Sequence, residues 1–301
     1  MPQVRPARGL IAASGPWQVC ELLKNHPELV ASPEVDVVVV TVKVPYHREL
    51  VSEALNAGKS VYCEWPLGNG LAEAVELARL ASDRKLAGVV GTQAIASPEV
   101  EYVRKIVADG YVGEVLSATY IGAGLTWGDD VTRGDVYAMD SKNGATLLSV
   151  IGGHAISAVQ SVLGRMEEVG AVLSQRRQTV PVIETGEMIP MKTPDQVVLD
   201  AVLQSGAPLS FQLRGGLPRG TGLLWEINGT AGDLRITAKA KTDACDQHLT
   251  AVSGRRAEER GWFPRTRDSV VFPINRRFGK PRLRTKRCDH CNFLESDFRP
   301  E

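Results

Sequence analysis

The run Val35 to Val42 (VDVVVVTV) is β-branched almost throughout and shows no alternation of polar with apolar residues. A strand of that kind expects cover on both faces, which is the condition of a parallel sheet held between helices. The flanking segments keep the same rhythm. Ala7 to Ala13 is a short apolar run broken by Ser14-Gly15-Pro16, and Trp17 to Leu29 is weakly helical. After Pro45, His47 to Ala57 predicts a helix ended by Gly58. Lys59 to Cys63 predicts a strand, Leu71 to Arg84 an amphipathic helix, Gly88 to Thr92 a strand, and Pro98 to Asp109 a helix closed by Gly110. This order predicts a Rossmann-like, doubly wound α/β domain over residues 1–113.

Beyond Glu114 the pattern changes to strands joined by turns. Expected strands are Val115 to Ile121, Glu168 to Gln175, Gln196 to Gln204, Leu209 to Leu213, Leu223 to Asn228 and Asp233 to Thr237, with a hairpin at Ser205-Gly206-Ala207. One helix, His154 to Leu163, interrupts them. The expected second domain, 114–238, is therefore α+β, an open and mostly antiparallel sheet with helices on one face. Residues 239–301 show neither period and include the basic run Arg276 to Arg287, so they read as an atypical basic tail.

At 301 residues the chain has room for two such domains. Thirty-five Lys and Arg balance thirty-five Asp and Glu, which leaves no global basic field for nucleic acid or an anionic membrane. The longest apolar run falls far short of the roughly 20 residues needed to span a bilayer, and Met1 to Arg8 is not followed by the apolar stretch of a signal peptide. The five cysteines, at 20, 63, 245, 288 and 291, are too scattered for a disulfide framework. A cytoplasmic location is the expectation. Cys288-Asp289-His290-Cys291 with Cys245 and His248 has metal-like spacing, but the two groups lie far apart in a segment without regular pattern, and no metal site is expected.

Three places carry candidate chemistry. The turn after the first strand holds Gly9 and Gly15 but not the G-x-G-x-x-G of a dinucleotide loop. Only a short stretch separates that turn from Val37, so the strand and helix that would bring the ribose-binding acid are missing. Glu64-Trp65-Pro66 follows a strand, at the carboxyl edge where ligands of parallel sheets bind. Gly152-Gly153-His154 opens a helix, whose dipole would lower the His154 pKa and leave a neutral proton acceptor near pH 7.

The segment Val35 to Leu67 resembles the Gfo/Idh/MocA oxidoreductases, as do Gly110-Tyr111-Val112-Gly113, Gly152 to Ser157 and Asn228 to Ile236. Glu64-Trp65 and Gly153-His154, with Pro194-Asp195-Gln196 and Arg214-Gly215-Gly216, are similar to a narrower branch, that of the yeast galactose/lactose metabolism regulatory protein. The resemblance weakens at both ends of the chain, before Val35 and after Ala238.

The family implies an NAD or NADP cofactor, hydride transfer to or from a sugar, polyol or related carbinol, and oligomerisation through the second sheet. Carried onto this sequence, the cofactor contacts would be Ala13, Ser14, Gly15, Trp17, Val44, Pro45, His47, Glu64, Trp65, Pro66 and Gln93, with His154 catalytic. The family's Lys stands here as Trp65 and its Asp as Val150, so His154 alone of that group remains. The branch also implies an alternative, a dinucleotide-binding corepressor without turnover and with a nuclear location. Trp65 is expected to stack on ligand and to face His154 across one cleft between the domains.

Overall fold

The computed structural model describes residues 27–124, 126–220 and 222–238, with the backbone of 247–252 and 269–272. The expected first strand, most of the Trp17 to Leu29 helix, the basic run and the cysteine-rich segment lie outside the described residues.

The parallel sheet consists of β1 (Val37–Val40), β2 (Ser60–Glu64) and β3 (Gly88–Gly91), ordered β1-β2-β3. The register sets Val40 beside Cys63 and Cys63 beside Val90, so the three carboxyl ends lie along one edge. Helix α1 (His47–Asn56) lays Val51, Ala54 and Leu55 on this sheet, the i, i+3, i+4 stripe of a helix with one buried side. Gly58 ends it in a left-handed conformation, φ 78°, and passes Lys59 N–H back to the Ala54 carbonyl at 2.9 Å. Helix α2 (Leu71–Asp83) adds Leu77. These residues and Val38, Val40, Val61 and Cys63 make the first core. β1 alternates half-buried with buried residues among the described contacts, where cover on both faces was expected.

The second sheet has eight strands in the order β13-β12-β11-β10-β4-β9-β8-β5. They are β4 (Val115–Gly124), β5 (Met166–Ser174), β8 (Gln196–Leu203), β9 (Pro208–Gly215), β10 (Leu223–Gly229), β11 (Asp233–Ala238), β12 (Gln247–Val252) and β13 (Ser269–Phe272). Only the β4–β9 pair is parallel. β8 buries Val197, Leu199, Ala201 and Leu203 and turns Val198, Asp200 and Val202 outward, the period of 2 read in the sequence. Helices α3 (Pro98–Ala108) and α4 (Gly153–Leu163) cover the inner face. Pro98 occupies the first turn of α3, and the Ser97 hydroxyl caps it by accepting from Val100 N–H at 3.2 Å. Val103 of α3 packs into the core of the second sheet, not of the first.

Two of the quoted sequence motifs meet at the domain junction. Thr230 N–H donates to the Glu114 carbonyl and Ala231 N–H to the Val112 carbonyl, both at 2.9 Å, locking the Gly110–Gly113 turn to the β10–β11 hairpin. Two others meet at the end of the sheet. The fully buried Asp195 carboxylate accepts from Arg176 N–H and Arg177 Nη1, and its carbonyl accepts from Gly215 N–H.

The stretch read as a patternless tail contributes β12 and β13. Edge strand β11 offers a row of unpaired N–H and C=O groups, and a neighbouring segment can pair with them whatever its side-chain pattern. The hairpin β6 (Thr179–Pro181) and β7 (Met188–Pro190) also has no sequence signal, being three residues a side with a proline in each.

Phe211 is fully buried and stacks on Tyr120 at a 4.8 Å ring separation. Phe211→Ala is expected to lower the unfolding free energy of this domain by about 3–5 kcal/mol in urea denaturation, whereas Val198→Ala, on the outer face, should cost a small fraction of that.

Candidate functional site

The site is assembled from the carboxyl edge of the first sheet and the start of α4. After β1 the chain turns through Val44 and Pro45 into α1. His47, fully buried, lies within 2.7 Å of the Pro66 carbonyl through Nδ1 and 2.8 Å of the Val42 carbonyl through Nε2. The ring therefore ties together the segments that follow β1 and β2. Both its nitrogens are engaged inside the protein, so His47 shapes the edge from beneath and presents no atom to a ligand. Val44 and Pro66 are likewise buried, and Val44 belongs to the second core. Of the edge residues expected to touch a cofactor, Pro45 and Gln93 are exposed and Glu64 and Trp65 half-buried. Ala13, Ser14, Gly15 and Trp17 lie outside the described residues.

Trp65 does something the sequence did not foretell. Its indole N–H donates to the Ser149 carbonyl at 2.5 Å, across the domain boundary. Gly153 is packed so tightly beneath the ring that a methyl group there would overlap the indole. Trp65 and the start of α4 are in direct contact, not set across a cleft as expected, and the indole N–H is already used. Nearby, Asn69 Nδ2 donates to the Lys142 carbonyl at 2.7 Å, and the Lys43 ammonium lies 4.9 Å from the centre of the Tyr137 ring.

His154 also differs from expectation in one respect. Leu148–Gly152 forms a π-turn that runs straight into α4, with Gly152 N–H donating to the Leu147 carbonyl. His154 is thus inside a continuous helical run, and the bare first-turn N–H groups invoked for a dipole effect are not beside it. Its pKa is nevertheless lowered, by burial. Its Nδ1 is buried with no hydrogen-bond partner.

The side chain lines a cavity of about 440 Å³ enclosed by the 93–96 turn, α3, α4 and the inner face of β4, β10 and β11. Gln93, Ser97 and Glu99 stand at one end of its wall in sequence. Tyr120, Trp225 and Ile236 line it from the sheet. Burial pushes the Tyr120 phenol up to about 12, so it stays protonated at ordinary pH. Trp225 is almost wholly buried, and its Nε1–H also lacks an acceptor. Sequence reasoning passed over Trp225 and Tyr120. Their signal, inward positions of adjacent strands facing a helix that begins with His, was present but ordinary for core residues.

Glu64 sits between these features. Burial raises its carboxyl pKa, and the neighbouring His47 opposes the shift. The edge fits the nicotinamide end of a dinucleotide. Exposed backbone follows β1, while half-buried Glu64 and exposed Gln93 offer acceptors and a donor suited to a carboxamide. Among the described residues no group of three or more His, Cys, Asp and Glu could hold a metal ion, and no helix is long and apolar enough to cross a membrane. Cys245 and Cys288 to Cys291 lie outside the described residues.

With this geometry in place the relatives fall into line. Residues 11–105 match the family described as oxidoreductase family, NAD-binding Rossmann fold. Residues 98–238 match the Gal80p C-terminal domain. The chain is thus a two-domain protein of the Gfo/Idh/MocA oxidoreductase type, with a second domain of the Gal80p kind. Among individual proteins it is similar to the galactose/lactose metabolism regulatory protein GAL80 of Kluyveromyces lactis, 28% identical over 225 residues, which are 69% of this chain and 49% of that protein. It is also similar to dehydrogenase aclE of Aspergillus oryzae, 30% identical over 220 residues, covering 69% of this chain and 58% of the relative. The crystal structure of the Gal80p regulator from Kluyveromyces lactis superposes with a TM-score of 0.71 at 26% identity, over 81% of this chain and 65% of that one. The chain therefore spans about half of the two curated relatives.

Two substitutions test the site's construction. Gly153→Ala should expel the indole and break the Ser149 bond, seen as a red shift of Trp65 emission when each remaining Trp is replaced by Phe. Glu64→Gln should raise the thermal midpoint at pH 7 but not at pH 4. A carboxyl whose folded pKa is raised contributes full stability below its ordinary pKa and loses it as pH rises through the folded value.

Proposed function

We propose that this chain is an NAD(P)-dependent oxidoreductase acting on a carbinol carbon, with His154 as the proton acceptor. The observation that carries this reading is the His154 ring. It is buried enough to be neutral near pH 7, its Nδ1 has no partner, and it lines a cavity whose wall includes Gln93 from the carboxyl edge of the Rossmann sheet.

A bound nicotinamide would supply hydride acceptance at that edge. Glu64 and Gln93 would hold its carboxamide end, and the buried His47 would keep the Val42 and Pro66 carbonyls fixed beneath it. Neutral His154 takes the hydroxyl proton of the carbinol at Nδ1 as the carbon gives up hydride. In the reverse direction the imidazolium returns it. The apolar wall on the α3 and α4 side keeps water from the reacting carbon.

The test is NAD(P)H absorbance against a panel of alcohols. His154→Ala should lower turnover roughly 100- to 10,000-fold. Carbinol oxidation should fall as pH drops, with its midpoint below the ordinary histidine value of ~6.5, because burial lowers the pKa and only the neutral ring accepts the proton.

A second reading is supported by a specific observation. At the position of the family's Lys stands Trp65, bonded to Ser149, and at that of its Asp stands Val150. A dinucleotide-sensing regulator without turnover would need neither. Saturable dinucleotide binding with no absorbance change on any alcohol would favour it.

For assembly, we propose a dimer through the outer sheet face. The cross-strand row Val172, Val198, Gln212, Ile121, Leu224 is mostly apolar, with Val172 65% and Val198 37% exposed. The double substitution Val172→Glu and Val198→Glu should convert the light-scattering mass to that of a monomer.

A further inference from the structure

The polar and apolar groups of the 440 Å³ cavity are unevenly placed. Its hydrogen-bonding side chains Gln93, Ser97 and Glu99 all come from the short stretch that enters α3, and the Ser97 hydroxyl is occupied as the cap of that helix. The remaining wall is Val100, Val103, Ala155, Ala158, Leu223 and Ile236. Within it two polar atoms are buried without partners, Nδ1 of His154 and Nε1 of Trp225.

Their chemistry is complementary. Indole Nε1–H can only donate, and Nδ1 of a neutral imidazole protonated at Nε2 can only accept. A hydroxyl answers both kinds, with a proton for Nδ1 and lone pairs for Nε1. Leaving such atoms unanswered in a buried site is unfavourable, so a ligand oxygen reaching them gains more than one placed in water. The same rule works against a polyhydroxylated ring. Several of its hydroxyls would face methyl and isopropyl groups, losing water without gaining a partner.

We propose that this cavity takes a compact, mostly apolar alcohol or its ketone, and not a polyhydroxylated sugar, with the ligand's oxygen answering Trp225 and His154. Turnover of that ligand rests on the oxidoreductase reading; its binding does not. Small side chains at 155 and 158 on α4 make the room, and the sheet-borne Trp225 supplies the fixed donor on the opposite wall.

Two six-membered rings separate the classes. Menthol carries one hydroxyl with alkyl substituents, and myo-inositol carries six hydroxyls. Titration calorimetry on the full chain should show saturable menthol binding and no myo-inositol binding at ten times the concentration. Trp225→Phe, which keeps a ring and removes the N–H, should weaken menthol about tenfold, a loss in keeping with one hydrogen bond. Ala158→Leu, which fills the cavity, should abolish binding while circular dichroism stays unchanged. The proposal is overturned if myo-inositol binds as well as menthol, if menthol does not bind, or if both substitutions leave its affinity intact. NAD(P)H absorbance recorded alongside keeps the two readings apart. Menthol binding without hydride transfer upholds the cavity assignment and sinks the oxidoreductase, while oxidation of myo-inositol does the reverse.

Discussion

The contact between the Trp65 indole and the backbone of residues 149–153 holds the site together. The two sheets bury separate cores, one around Val40, Leu55 and Cys63 and the other around Phe211, Leu213 and Ile227. Neither core alone dictates where the carboxyl edge of the first sheet lies relative to α4. A large aromatic ring set on a residue without a side chain, and bonded through its only polar atom, sets that relation with little freedom. His47 does the corresponding work within the first domain, by bridging the two loops that form the edge. The placement of His154 near Gln93 follows from these two fixtures.

The chemistry drawn from the site follows from burial more than from charge. Surface pairs such as Arg48 with Glu76, roughly half exposed on both sides, contribute little to stability. The groups whose proton affinity shifts at the site, Glu64 and His154, shift because water is removed from them. Each is moved toward its neutral form. A site made of neutral acids and bases beside an apolar wall is suited to moving one proton with a hydride, and ill suited to gripping a highly charged substrate.

Much of the fold was legible because its elements carry strong local patterns. Val35 to Val42, the alternation in Gln196 to Leu203 and the stripe Val51, Ala54, Leu55 each state their period without help from the rest of the chain. β12 and β13 were not legible, since they form by pairing with an edge that exists only once the sheet is built. The site was legible in its residue types and not in their roles. Glu64, Trp65, Gln93 and His154 all reach the domain junction. That Trp65 would spend its N–H on Ser149, and that His154 would owe its lowered pKa to enclosure instead of a helix end, depends on contacts made across more than eighty positions of sequence.

The π-turn at Leu148–Gly152 gives the junction an unusual sensitivity to chain length. A wide turn of this kind holds one residue more than the helix around it needs. Deleting a single residue there would let the helix close into ordinary spacing and rotate everything after it by about 100°, since each residue accounts for 1/3.6 of a turn. His154 would swing away from the cavity while the hydrophobic composition of the helix stayed the same. Small length changes in this one stretch are therefore a route by which descendants of the same scaffold could gain or lose a reactive histidine without rebuilding either core.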